Sequence, residues 1–265
     1  MSIRSFSFGG GVQSVATLVL QAMGKVNYDV FLFANVGDDS EHPGTIEYYH
    51  KYAAPFAEEH GIELHMVQKT LRDGSLDTIL GRMHRLERSL PIPVRMSNGA
   101  PGKRSCTADY KIAVIEKKLR TVYGATAEQP ATVGLGISLD EIERAKTHSG
   151  YKTQVLEYPL IDLHLFRRDC YKIIEEAGLP RPPKSACWFC PFHSRTVWIE
   201  MKREEPDLFA KSVALENLLN KRRARFGKTP VYLHPSCVPL ANAVGDQPPL
   251  FEEVSELCEA SSCMT

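Results

Sequence analysis

The feature that most constrains this chain is its first seventy residues, which alternate between strand and helix periodicity as a parallel sheet with crossover helices requires. Ile3 to Phe8 reads as a strand, Val12 to Met23 as a helix, Asp29 to Asn35 as a strand, Thr45 to His60 as a helix and Glu63 to Val67 as a third strand. Parallel neighbours need a long crossover, so a β-α-β-α-β start predicts an α/β fold: a parallel twisted sheet with helices on both faces. The alternation resumes with a helix from Thr107 to Val122 and an apolar strand from Ala131 to Ile137, and Tyr158-Pro159-Leu160 falls at the end of another strand. Residues 69–105 interrupt it. They carry Arg82, Arg85, Arg88, Arg95, Lys103 and Arg104 among Pro91, Pro93 and Pro101, and read as an irregular basic excursion.

Beyond Leu165 the character changes. Arg167 to Ala177 reads as a helix stopping at Gly178, Ser194 to Lys202 and Pro206 to Phe226 as two more, and the remainder as irregular and proline-rich. The predicted division is an α/β domain over 1–165 and a smaller, mostly helical region over 166–265 that bears a Cys-x-x-Cys pair. At 265 residues the chain is long enough for this.

The junction of the first strand and helix reads Ser7-Phe8-Gly9-Gly10-Gly11-Val12-Gln13-Ser14. The first helical turn leaves its N–H groups without internal partners and the helix dipole adds partial positive charge, so this is where a phosphate is favoured. Glycines 9, 10 and 11 let the backbone approach an anion, and Ser7 and Ser14 offer hydroxyls. A flexible turn is the plainer reading. No Gly-Lys-Ser/Thr follows, and a G-x-G-x-x-G pattern would need glycine at Ser14, so neither a P-loop nor a dinucleotide fingerprint is present.

The loop resembles the PP-loop, the S-G-G-x-D-S pyrophosphate-binding element of ATP pyrophosphatases and phosphoadenylyl-sulfate reductases. Gly10, Gly11 and Ser14 match it, whereas Gly9 replaces its first serine and Gln13 its aspartate. Asn35-Val36-Gly37-Asp38-Asp39 with Pro43-Gly44-Thr45 resembles the D-T-G-x-x-x-P-E-T turn of the same superfamily. Cys106-Thr107 with Lys111 resembles its C-x-x-x-x-K segment, and Gly136-Ile137-Ser138 followed by Asp140, Glu141 and Arg144 its G-x-R-x-x-E-S-x-x-R stretch. In order and spacing these cover roughly residues 3–200. The resemblance implies ATP as the bound nucleotide, Lys111 and Arg144 facing its phosphates, and Mg²⁺ held by Asp38, Asp39 or Asp140. Asn35, Gly136, Ser138 and Glu141 would line the same site. Taken singly, Asp38 and Asp39 could cap a helix, Lys111 could be solvated, and Glu141 with Arg144 could be an ordinary i,i+3 pair.

Seven cysteines in a chain with no signal-like start and no apolar run of roughly 18 residues suggest a reducing, cytoplasmic setting rather than a disulfide framework or a membrane span. Their grouping is what matters. Cys187-Trp188-Phe189-Cys190 places two thiolates on one tight turn, within reach of one metal or cluster. Cys106, Cys187 and Cys190 with a tail cysteine, Cys258 or more specifically Cys263, would complete a four-ligand set, with His193 as a substitute. Zinc and a 4Fe-4S cluster both fit that set. PP-loop sulfurtransferases that thiolate tRNA carry a cluster on three cysteines, and the similarity favours iron-sulfur. Cys170 reads as a core residue, and Cys237 has no assignment.

The expected function is ATP-dependent adenylation of an acceptor, with release of pyrophosphate and support of sulfur transfer. The two basic runs, Arg82 to Arg104 and Lys221 to Arg225, suit the phosphates of tRNA or DNA, although 32 basic residues balance 32 acidic ones and give no overall field. The sequence specifies neither the sulfur or electron donor nor the oligomeric state, and a homodimer is compatible with it. Reduction of phosphoadenylyl sulfate is an alternative, but its E-C-G-L-H tail segment is missing: the chain reads Glu256-Leu257-Cys258-Glu259. A non-catalytic nucleotide-binding protein with structural zinc is the other, and Gln13 is its best support.

Overall fold

A computed structural model describes residues 2–86 and 89–244. Within them the chain forms two compact units, one from residues 2–78 and 107–186 and the other from 79–106 and 187–244. The helix Arg167–Glu176, expected in the C-terminal region, thus lies in the first unit, and most of the basic excursion lies in the second.

Seven strands occur among the described residues: β1 (Arg4–Phe8), β2 (Val30–Asn35), β3 (Leu64–Gln68), β4 (Arg95–Met96), β5 (Ala131–Leu135), β6 (Gln154–Glu157) and β7 (Val231–Tyr232). Five of them make the parallel sheet of the first unit in the order β3-β2-β1-β5-β6. Strand alternation explains the two faces. Phe6, Phe8, Phe31 and Phe33 point to one side and pack under helix Val12–Ala22 and the tyrosines 48 and 49, while Val30, Leu32, Ala34 and Val133 point to the other and meet Ile115 and Leu119. The order reverses direction at β1 and β5, so the loops after these two strands open onto the switch point where sheets of this kind bind ligands.

The expected helix from Thr45 to His60 is present as Pro43–Tyr48 and Ala54–Glu59 joined by a wide π turn, Tyr49–Ala53. Pro55 has no N–H to donate, and the hydrogen-bond ladder loosens as it approaches. A second π turn, Ala108–Ile112, precedes helix Ala113–Thr121 and carries Lys111.

The second unit is built on helices Arg195–Glu204 and Pro206–Arg225 with the short antiparallel pair β4-β7. Part of the stretch read as irregular is helical, Ile79–Arg85, with Ile79 and Met83 buried one turn apart and Arg222 donating to the carbonyl of Met83. Glu216, 2 % exposed, accepts the N–H groups of Leu233 and Leu240, both at 2.7 Å, and so ties the segment after β7 to the long helix. No helix among the described residues is long and apolar enough to cross a membrane.

Candidate functional site

The glycine loop leaves the C-terminal end of β1 and enters helix Val12–Ala22 at Gly11. Gly10 has φ +75°, a conformation that favours glycine, and a Cβ there would stand 2.9 Å from Thr45 Cγ2. Gly9 donates its N–H to Ser14 Oγ at 2.8 Å, which folds the loop back on the first helical turn. Ser14 therefore acts first as an acceptor within the loop. Ser7 sits inside the strand, paired on both sides and 5 % exposed, below the loop proper. The amides at the start of the helix are the ones that have no acceptor four residues back, and they lie at the switch point of the sheet.

Sequence reasoning missed Ser185. Its hydroxyl donates to the carbonyl of Gly9, from 176 residues away, and reaches Glu41 Oε1 at 3.5 Å. His42 N–H donates to the carbonyl of Ala186 at 3.0 Å, holding the same segment. With the Gly9 carbonyl turned toward Ser185, the loop backbone has a fixed orientation. No local signal in the sequence announces a contact this distant.

Across the switch point, Gln13 explains itself. Its Nε2 donates to Glu141 Oε2 at 3.0 Å and lies 3.4 Å from Ser138 Oγ, just beyond Gly136 at the end of β5. Arg144 donates to the same Glu141 oxygen, and Arg167 stands 3.9 Å from the other. Burial raises the Glu141 carboxyl above its ordinary value, with Arg144 and then Arg167 pulling it back. An aspartate at position 13 would set two carboxylates together, whereas a neutral amide donates. The i,i+3 pair of Glu141 and Arg144 is formed, in a 3₁₀ stretch Leu139–Arg144. Asp140 takes the N–H of Arg167 at 2.9 Å.

After β2, Asn35 accepts Gly37 N–H at 2.9 Å and donates to Asp38 Oδ1 at 2.6 Å. Asp39 accepts the hydroxyls of Thr78 at 2.8 Å and Ser40 at 2.7 Å. Asp38, Asp39 and Asp140 each have one oxygen or more engaged by protein. Asp38 is exposed at the strand end and suits a Mg²⁺ ion that takes its other ligands from phosphate and water.

Glu41 is fully buried beside this turn, and its Oε2 has no hydrogen-bond partner among the described residues. Burial holds its carboxyl above the ordinary 4.5, offset in part by the charge of Lys111, then by His42 and the Ser185 hydrogen bond. The folded chain therefore keeps this proton at pH values where the unfolded chain has released it. The stabilisation is complete below the unfolded value and is lost as pH rises through the raised folded one. Glu41→Gln cannot ionise and keeps an oxygen for Ser185. Its thermal midpoint is expected to match wild type at about pH 4 and to exceed it at about pH 8; equal midpoints at both would show that burial does not tax this carboxylate.

In the second unit, Cys187 and Cys190 bracket a tight turn in which Cys190 N–H donates to the Cys187 carbonyl at 3.0 Å. His193 Nε2 also meets that carbonyl, at 2.9 Å, and its ring packs edge-on against Trp198. As a substitute ligand, His193 would therefore have to use Nδ1. Ser212 of the long helix donates to the carbonyl of Trp188 at 3.4 Å. Cys106 belongs to the same unit, with its N–H on the carbonyl of Pro91 at 2.8 Å. Among the described residues no three His, Cys, Asp or Glu side chains come together as a metal site, and Cys258 and Cys263 lie outside those residues. The turn alone supplies two thiolates, fewer than zinc or a cluster takes. Cys170 is fully buried on helix Arg167–Glu176, where burial pushes its thiol up to about 12.

The first unit thus gathers Gly9, Gly10, Gly11, Gln13, Ser14, Gly136, Ser138, Glu141 and Arg144 at the ends of β1 and β5, and sets Asn35 and Asp38 at the end of β2. Lys111 acts on Glu41. Comparison with protein-family models and with curated proteins finds no match.

Proposed function

We propose that the chain is a PP-loop enzyme that binds ATP at the glycine loop, transfers AMP to an acceptor and releases pyrophosphate, in support of sulfur transfer to a nucleic acid. The observation that carries this reading is the position of the loop: three glycines at the start of a helix, at the switch point of a parallel sheet. Helix amides there would receive phosphate oxygens, and Lys111 and Arg144 would add positive charge. Mg²⁺, held by Asp38 and the phosphates, would neutralise charge on the departing pyrophosphate.

In the first step an acceptor oxygen attacks the α-phosphorus and the bond to the bridging oxygen of the β-phosphate breaks. The electron pair leaves with pyrophosphate, and the acceptor carries AMP. A sulfur nucleophile then displaces the adenylated oxygen, and AMP departs with it. Ser185 would keep the loop amides oriented through Gly9, and Gln13 would hold Glu141 beside Arg144. ATP labelled in the α-phosphate, incubated with mixed tRNA or single-stranded DNA, is expected to leave its label on the nucleic acid as an adenylated acceptor with release of unlabelled pyrophosphate, and to yield labelled AMP once sulfide is added as the sulfur nucleophile. ADP and inorganic phosphate as products would overturn the reading.

The Cys187-Cys190 turn is proposed as part of an iron-sulfur centre, with zinc as the alternative. Anaerobically purified protein is expected to hold about four irons and four sulfides per chain, lost in Cys187→Ala. One zinc and no iron would make the centre structural and leave the proposal at the glycine loop standing alone.

A further inference from the structure

In the second unit the chain turns back on itself around Gly99, with Met96 N–H on the Ala100 carbonyl at 2.9 Å and Gly102 N–H on that of Val94 at 2.7 Å. This return brings the guanidinium groups of Arg95 and Arg104 over the same aromatic ring, that of Phe192, each 5.3 Å from its centroid. All three side chains are half-buried. Phe192 stands two residues after Cys190, and Arg104 two before Cys106.

Two cations held against one ring lie within about 11 Å of each other, and the ring's quadrupole attracts both without removing their mutual repulsion. Arg95 has no carboxylate within ion-pair distance among the described residues, and its buried Nε finds no acceptor there. An anion beside Arg95 would supply that missing acceptor. A guanidinium presents its N–H groups in its own plane, the arrangement that binds phosphate oxygens in pairs. Lysines would not be oriented in this way.

We infer that Arg95 and Arg104, braced by Phe192, form a binding site for a backbone phosphate of a single-stranded nucleic acid, next in sequence to the cysteines 106 and 190. This rests on the reading of the acceptor as a nucleic acid and is independent of the chemistry at the glycine loop. A phosphate contact of this kind adds affinity without sequence preference and makes it salt-dependent.

The test is fluorescence anisotropy of a labelled single-stranded oligonucleotide over a range of salt, for wild type, Arg104→Gln, Arg95→Gln and Phe192→Leu, with thermal melting and an ATP titration on each. Each arginine variant is expected to bind several-fold more weakly and to lower the slope of log affinity against log salt by about one. Arg104→Gln, which leaves the buried Nε of Arg95 in place, keeps the test open if Arg95→Gln melts early. Unchanged affinity and slope in an Arg104→Gln protein that melts as wild type would overturn the inference, as would failure of wild type to bind the oligonucleotide. Binding of inorganic phosphate without the oligonucleotide would also overturn it, in favour of a small-anion site. The ATP titration reports on the glycine loop separately, so the two proposals can fail independently.

Discussion

Gly134→Ala is expected to lower the thermal midpoint of the first unit by roughly 6–12 °C, corresponding to about 3 kcal/mol. Gly134 lies in the middle of β5, between Phe6 and Glu157 in the ladder. A Cβ at this position would stand 2.4 Å from the Tyr28 hydroxyl and 2.5 Å from Cζ. Tyr28 is 4 % exposed and its ring is packed against Phe6 at 5.4 Å and Phe31 at 5.9 Å, so it cannot swing away without moving the aromatic layer under the sheet. Tyr28→Phe is the control. It removes a buried hydroxyl that has no partner among the described residues, and is expected to be neutral or slightly stabilising alone. If Gly134→Ala melted within about 1 °C of wild type, the close packing of Tyr28 on β5 would be refuted.

Gly10→Ala is expected to weaken ATP binding at least tenfold, about 1.4 kcal/mol, while the chain stays folded. Two effects act together. At φ +75° an alanine meets its own backbone, at a cost of about 1 kcal/mol, and its methyl group would press on Thr45 at 2.9 Å. Thr45 is fully buried, so the loop yields first and its amides turn from their direction. Gly11→Ala separates this from a general effect of filling the loop: Gly11 has φ −97° and its nearest neighbour would be Ser185 Cβ at 3.8 Å, an ordinary contact. A smaller loss is expected there. Equal losses in the two variants would point to the volume of the methyl rather than to the left-handed turn.

The parts of the fold legible in the sequence are those fixed by local periodicity. The phenylalanines 6, 8, 31 and 33 alternate with smaller residues, and β1, β2, β3 and β5 and helix Val12–Ala22 lie within two residues of where that alternation puts them. Helix Ile79–Arg85 was obscured by the prolines that follow it, although Ile79 and Met83 carry the i,i+4 spacing of a buried face. The way the chain divides into units was not legible, because residues 79–106 leave the first unit and residues 107–186 return to it. At the site, the glycines and the β2 turn could be read from the chain. The partnership of Gln13 with Glu141 and the reach of Ser185 to Gly9 could not, since each joins residues more than a hundred positions apart. Gln13, which looks like a defect against an S-G-G-x-D-S pattern, fits the neighbouring carboxylate.

Calorimetric titration of the purified chain with ATP and Mg²⁺ tests the nucleotide site most directly. One site per chain with micromolar affinity, about −8 kcal/mol, is expected for wild type, with at least tenfold loss in Gly10→Ala. A folded wild-type protein that gives no binding, or a Gly10→Ala variant that binds ATP as tightly as wild type, would contradict the assignment of the glycine loop as a phosphate cradle.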